Sequence, residues 1–315
     1  MESPYPTTGG TMIEVQGLTK RFGDQTAVDG LTFSLRPGAV TGFLGANGAG
    51  KTTTLRLILG LERPTSGTAL VGGRRFAEVE SPMREVGALL DAGAVHGSRT
   101  ARDHLRCLAA SNRIPDSRVE EVLGLVGLEP VGGQRVRTFS LGMRQRLGIA
   151  GALLGDPKVV IFDEPVNGLD PQGVVWIRTL TRELAQEGKT VLISSHLMGE
   201  VARTADHILV IGRGKLLADA PAEELMREFS RYRVLVDGDN LGLLAARLRE
   251  LGADVEFGLL GKLEAVGLTS SEIFKVAMAE GIVLSELTPQ ESSLEEVFMD
   301  LTKESVGFGA AKGDR

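Results

Sequence analysis

Between Gly45 and Thr53 the chain reads GANGAGKTT, a glycine-rich loop of the form G-x-x-x-x-G-K-[ST] that demands particular surroundings. Before it, residues 39–44 (AVTGFL) form a short apolar run that predicts a buried strand. After it, residues 52–59 (TTTLRLIL) predict a helix. Strand, loop and helix in that order make a phosphate cradle. The glycines let backbone N–H groups turn inward, and the helix presents its positive end to the same charge. Lys51 adds a cation near the β- and γ-phosphates, and the Thr52 hydroxyl is placed to ligate Mg²⁺. Gly45, Ala46, Asn47, Gly48, Ala49, Gly50, Lys51, Thr52 and Thr53 are therefore expected to hold a nucleoside triphosphate.

A length of 315 residues predicts two domains. The formal net charge of −6 argues against non-specific binding to nucleic acid or to a membrane surface. A single cysteine, Cys107, excludes an internal disulfide, fits a reducing compartment and is expected to be a small buried hydrophobe. No run approaches the roughly 18–20 apolar residues of a membrane-spanning helix. Residues 1–11 lack the basic start and apolar run of a signal peptide and are expected to be a disordered lead-in. Residues 306–315 are expected to be a loose tail.

Alternation of apolar and polar residues predicts half-buried strands at Ile13–Val15 and Leu31–Leu35, an antiparallel piece beside the loop's own sheet. Phe22 is expected in the loop between them, either packing a turn or offering its ring to a nucleobase. Val86–Asp91 predicts a strand, and residues 100–110 and 117–127 predict helices of a central insert. His96 and His104 have no partners at ligand spacing and are expected on the surface or in packing. Ser140 suits a helix N-cap, and with Gly142 it makes a second possible phosphate site. The run VVIFDEP (159–165) has the composition of a central parallel strand ending in two acids, where ligands of α/β sheets bind. Asp163 would hold Mg²⁺, and Glu164 would orient and polarise an attacking water. Residues 190–196 (TVLISSH) repeat the arrangement, so His196 ends a strand at the equivalent position. A hairpin over 205–220 and a short helix from Pro221 follow. The order strand, helix, strand, strand, helix, strand from Tyr232 to Leu287, with a last helix over 293–301, then predicts a small split βαβ domain.

Taken together these motifs strongly resemble the ATPase subunits of ABC transporters over roughly residues 12–220. GANGAGKTT resembles Walker A and VVIFDEP resembles Walker B with its catalytic Glu164. FSLGMRQRLGIA (139–150) is similar to the signature motif, Gly168-Leu169-Asp170 to the D-loop, and His196 matches the switch histidine. The resemblance implies an α/β P-loop ATPase domain at 12–225 with antiparallel β and helical subdomains, and a small α+β domain at 226–305. It makes Phe22 the adenine-stacking residue and sets Val28 near the sugar. Leu141 stands where the common LSGGQ form has its first glycine, and Met143 replaces its glutamine, a variation found in drug and peptide-antibiotic exporters. Asp91 falls where the Q-loop glutamine is expected and could still approach Mg²⁺. The ending SLEEVF (293–298) resembles daunorubicin-type resistance ATPases.

The resemblance further implies ATP and Mg²⁺ as ligands, and two subunits, expected to be copies of the same chain in a homodimer, that sandwich two ATP molecules. Ser140, Leu141, Gly142 and Asp170 of one chain would then face the loop of the other. Lys51, Glu164 and His196 would carry hydrolysis. A membrane permease on a separate chain, and no nucleic acid, would be the partner, fixing the protein to the cytoplasmic face of the membrane. A soluble ABC ATPase acting on ribosomes or DNA is the alternative; relatives of that kind usually carry two cassettes or a long coiled-coil insert, and this chain shows neither.

Overall fold

The computed structural model describes residues 12–290 except 197, 198, 200, 202, 230–232, 259 and 260. The expected lead-in, the helix over 293–301 and the tail lie outside the described residues. The chain divides into two compact units between Pro221 and Ala222, so the short helix from Ala222 groups with the second.

The first unit contains two sheets. β1 (Ile13–Phe22) and β2 (Gln25–Leu35) form a long hairpin, and β4 (Ser66–Val71) pairs antiparallel with β1 in the order β2-β1-β4. The other sheet combines β3 (Val40–Leu44), β5 (Val86–Leu89), β6 (Val159–Asp163), β7 (Thr190–Ser195), β8 (His207–Gly212) and β9 (Lys215–Pro221) in the order β5-β6-β7-β3-β8-β9. All its pairings are parallel except that of β9 at the edge. β3, β6 and β7 are buried along their whole length, as continuous apolar runs require of central parallel strands. Alternate residues leave a strand on opposite faces. Val160 and Phe162 therefore join one apolar core, while Val159 and Ile161 join the other.

The helices of this unit are α1 (Lys51–Ile58), α2 (Pro82–Glu85), α3 (Ala101–Ser111), α4 (Ser117–Leu125), α5 (Leu141–Leu153) and α6 (Pro171–Gln186). α3 turns Ala101, Leu105 and Ala109 inward at intervals of one turn. Cys107, two residues beyond Leu105, falls on the opposite face and is exposed, which corrects the expectation that it is buried. Register aligns the carboxyl ends of three strands: Leu44 pairs with Ser195, and Asp163 with Ser194. That edge collects the residues that matter below.

In the second unit α7 (Ala222–Phe229) precedes β10 (Arg233–Gly238), α8 (Leu241–Glu250), β11 (Asp254–Phe257), β12 (Leu263–Val266), α9 (Ser270–Ala279) and β13 (Leu284–Gln290). The sheet order β11-β12-β10-β13, antiparallel throughout, is that of a split βαβ arrangement. Val234, Val236, Leu244, Leu248 and Ile273 fill its separate core. No helix among the described residues is long and apolar enough to cross a membrane.

Candidate nucleotide site

β3 delivers the chain to Gly45, and α1 begins at Lys51, so the glycine-rich loop spans the gap between a buried strand and a helix N-terminus. Close approach explains its glycines. A Cβ on Gly50, whose φ is 109°, would stand 2.5 Å from the Ala27 carbonyl oxygen, and one on Gly45 would stand 2.7 Å from that of Ile211. Such a cradle of backbone N–H groups before a helix fits a polyphosphate. Lys51 is 6% exposed. Its Nζ donates to the Gly45 carbonyl at 2.6 Å and to that of Ala46 at 3.4 Å, and lies 3.4 Å from Glu164 Oε1.

The two acids at the end of β6 have different surroundings. Thr52 Oγ1 donates to Asp163 Oδ2 at 2.6 Å, and the Ser194 hydroxyl donates to Asp163 Oδ1. A threonine hydroxyl beside a carboxylate is the hard-oxygen pair that suits Mg²⁺, which keeps several waters and takes its remaining ligands from phosphate. No group of three or more His, Cys, Asp or Glu residues among the described residues forms a dedicated metal cage. The donor set thus fits a cation carried in with a nucleotide.

Glu164 has φ of 50°, in the left-handed region, which turns it out of the strand. Its N–H donates to the Ser194 carbonyl at 3.2 Å and to Ser194 Oγ at 3.0 Å, and its own carbonyl accepts from Gln145 Nε2 at 3.3 Å. Oε2 of Glu164 accepts from His196 Nδ1 at 2.8 Å and lies 3.4 Å from the His196 backbone nitrogen. Lys51, Thr52, Asp163, Glu164 and His196 therefore share one polar cluster. Ser194 and Gln145 join it without being singled out by any motif reading. The only signal for Ser194 is a hydroxyl at the polar end of a buried strand, and for Gln145 an amide on the buried side of α5.

The other expected residues have partners of their own. Ser140 Oγ accepts from the Met143 N–H at 3.2 Å as the cap of α5. Leu141 is exposed and packs over Gly168, where an added Cβ would meet the leucine side chain at 2.2 Å. Gly142 approaches the Gly168 carbonyl, and Asp170 Oδ1 caps α6 by accepting from Gly173. The larger residue at 141 is thus matched by the glycine opposite it. Asp91 is exposed just past β5, and its Oδ1 accepts from the Gly93 N–H at 2.7 Å.

Two expectations need correcting. Phe22 ends β1, paired with Gln25 across the two-residue turn Gly23-Asp24, instead of lying in a longer loop. Its ring is 49% exposed with Lys20 Nζ 4.8 Å above it, so a face is available for stacking. Val28 is 0% exposed and belongs to the apolar core, which removes its side chain from any sugar. Its neighbour Ala27 approaches the glycine-rich loop through its backbone carbonyl, the oxygen that a Cβ on Gly50 would meet.

The family described as ABC transporter matches residues 28–167, and a domain of unknown function matches 232–295. The bacitracin transport ATP-binding protein BcrA of Bacillus licheniformis is 37% identical over 300 residues, covering 92% of this chain and 97% of its own length. The lantibiotic transport ATP-binding protein SrtF of Streptococcus pyogenes is 35% identical over 208 residues, 66% of this chain and 90% of its own. Among solved structures, the ATP-binding subunit of an ABC transporter superposes with a TM-score of 0.64 at 27% identity, over 70% of this chain and 93% of that one.

Proposed function

The chain belongs to the family of ABC transporter ATP-binding proteins, and from that premise we propose that it energises export of a peptide antibiotic, drug or lipid-like compound through a separate membrane-spanning permease. Binding and hydrolysis of ATP come with the family. The cargo class is supported by likeness to proteins named for bacitracin and lantibiotic transport along most of their length. Attachment to the cytoplasmic face of the membrane would follow from docking on the permease.

One observation carries the chemistry: Lys51, Thr52, Asp163, Glu164 and His196, from α1, β6 and the end of β7, converge within hydrogen-bond or ion-pair distance. Backbone N–H groups of residues 45–50 and the Lys51 ammonium would bind the β- and γ-phosphates, for which the Gly45 and Ala46 carbonyls now serve as partners. Phe22 would stack on the base. Thr52 and Asp163, with Asp91 a further candidate, would hold Mg²⁺, which when bound neutralises charge on the phosphate oxygens. Glu164 would orient and polarise the water in line with the γ-phosphate, and His196, holding the Glu164 carboxylate, would fix its direction and face the same phosphate.

Ser140, Leu141, Gly142 and Asp170 sit at the starts of α5 and α6. In the proposed mechanism they complete the site of a second copy, so that ATP joins two chains and hydrolysis releases them. Affinity capture of the full chain from detergent-solubilised membranes tests the transport reading: co-purification of a multi-span protein is expected, and recovery of ribosomal proteins in its place would overturn it. The shared-site reading predicts that turnover per chain rises with protein concentration and falls on Ser140→Ala; full activity in a strict monomer would refute it.

A further inference from the structure

We propose that Ser194 is a positioning residue for both acids of the ATPase site, orienting the Asp163 carboxylate with its side chain and the Glu164 backbone with the same hydroxyl and its carbonyl. The proposal rests on the assignment of Asp163 to Mg²⁺ and of Glu164 to the attacking water.

Ser194 is fully buried near the end of β7, a strand of otherwise mostly apolar inward residues. A buried hydroxyl is tolerated where both its donor and its acceptor are used. Both are used here, on adjacent residues of another strand. The hydroxyl proton goes to Asp163 Oδ1, and the oxygen accepts the Glu164 N–H at 3.0 Å. Since Thr52 Oγ1 occupies Asp163 Oδ2 at 2.6 Å, the carboxylate is held at both oxygens and its plane cannot turn about the Cβ–Cγ bond without losing one partner. The Ser194 carbonyl takes the Glu164 N–H at 3.2 Å as well. That N–H belongs to a non-glycine residue in left-handed conformation, which persists only where neighbours fix it.

The ladder explains how one residue reaches both. Asp163 pairs with Ser194 at the last rung between β6 and β7, so Glu164 is the first residue beyond the sheet, and the partner strand's end receives it. The hydrogen bonds described for the Ser194 side chain go to Asp163 and Glu164. It acts through Asp163 and Glu164, as outer partners of a metal ligand do.

Equilibrium binding of ATP in the Glu164→Gln background, followed as a function of Mg²⁺ with a fluorescent nucleotide, isolates this role from turnover. Ser194→Ala and Ser194→Cys are each expected to raise the half-saturating Mg²⁺ concentration about 10–100-fold with binding in EDTA unchanged. Ser194→Thr, which keeps the hydroxyl, should restore the parent value. Thermal melting without nucleotide is expected to stay close to that of the parent for the cysteine variant, separating positioning from loss of fold. Asp163→Asn serves as the reference. If it shifts the Mg²⁺ dependence and neither Ser194 variant does, the positioning proposal is overturned alone. If Asp163→Asn produces no shift, the metal assignment beneath it fails first.

Discussion

The Glu164 carboxylate lies 2.8 Å from His196 Nδ1 through one oxygen and 3.4 Å from Lys51 Nζ through the other. Its position is thus set by two cationic or donor groups from neighbouring elements at the same carboxyl edge of the sheet, the end of β7 and the start of α1. A carboxylate anchored at both oxygens has its direction fixed, which is what orienting a water molecule requires. Replacing Glu164 by Gln keeps the shape and removes the charge. Turnover is expected to fall about 10²–10⁴-fold while ATP is retained, and the nucleotide-bound dimer should appear in size-exclusion chromatography with ATP. Wild-type hydrolysis by this variant would mean that another group positions the water.

His196→Ala removes one of those two anchors and leaves the phosphate-binding loop intact. Turnover should drop about 10²–10³-fold, with ATP affinity within a few-fold of the parent by equilibrium titration. A change confined to affinity would show that His196 serves binding alone.

Lys51 combines burial with three acceptors, two of them carbonyls of the loop that precedes it. A charge-assisted hydrogen bond contributes about 1.5–3 kcal/mol, so Lys51→Ala should weaken ATP binding about 10–100-fold in addition to abolishing turnover. Isothermal titration in the presence of Mg²⁺ measures this. Unchanged affinity would exclude the ammonium from phosphate binding.

How much of this site could be read from the chain depends on where the residues sit. Residues 159–163 announce a central strand because every one is buried, and the adjacent acids mark its end. Likewise the glycines of residues 45–50 are required by backbone contacts that no larger residue allows. The hairpin of β1 and β2 is different. Its turn segment TKRFGDQT is polar on both sides, so strand pairing through Phe22 and Gln25 leaves no alternation to detect. Register shifts along β1 also break the count of which residues face inward. Ser194 shows a further limit. Its importance comes from a partner 31 residues away in sequence, and a serine in the polar end of a strand carries no spacing that would reveal it.

At Asp91, where a glutamine is expected, the carboxylate currently accepts only from the Gly93 N–H among its described hydrogen bonds and stays exposed beyond β5. Register brings it near the catalytic edge, since Leu89 pairs with Phe162 next to Asp163. Asp91→Gln replaces a charge with an amide of greater reach. A shift of about tenfold in the Mg²⁺ dependence of ATP hydrolysis is expected, measured at saturating ATP. No change in that dependence or in coupling to transport would remove Asp91 from the metal-binding group.

His104 on α3 gives the protein an acid sensitivity unrelated to catalysis. Its Nδ1 is buried without a hydrogen-bond partner, and burial, followed by the nearby Arg99 charge, holds its pKa below the ordinary 6.5. The folded chain therefore takes up this proton at lower pH than the unfolded chain does. As pH falls from above 6.5 toward the depressed folded value, the unfolded state binds more protons and stability declines; above that window His104 is neutral in both states and contributes no pH dependence. His104→Gln removes the titration. The difference in Tm between pH 7.5 and pH 5 should narrow in this variant. Calorimetry at both pH values checks it, and an equal or larger acid-side loss in the variant would assign the sensitivity to another group.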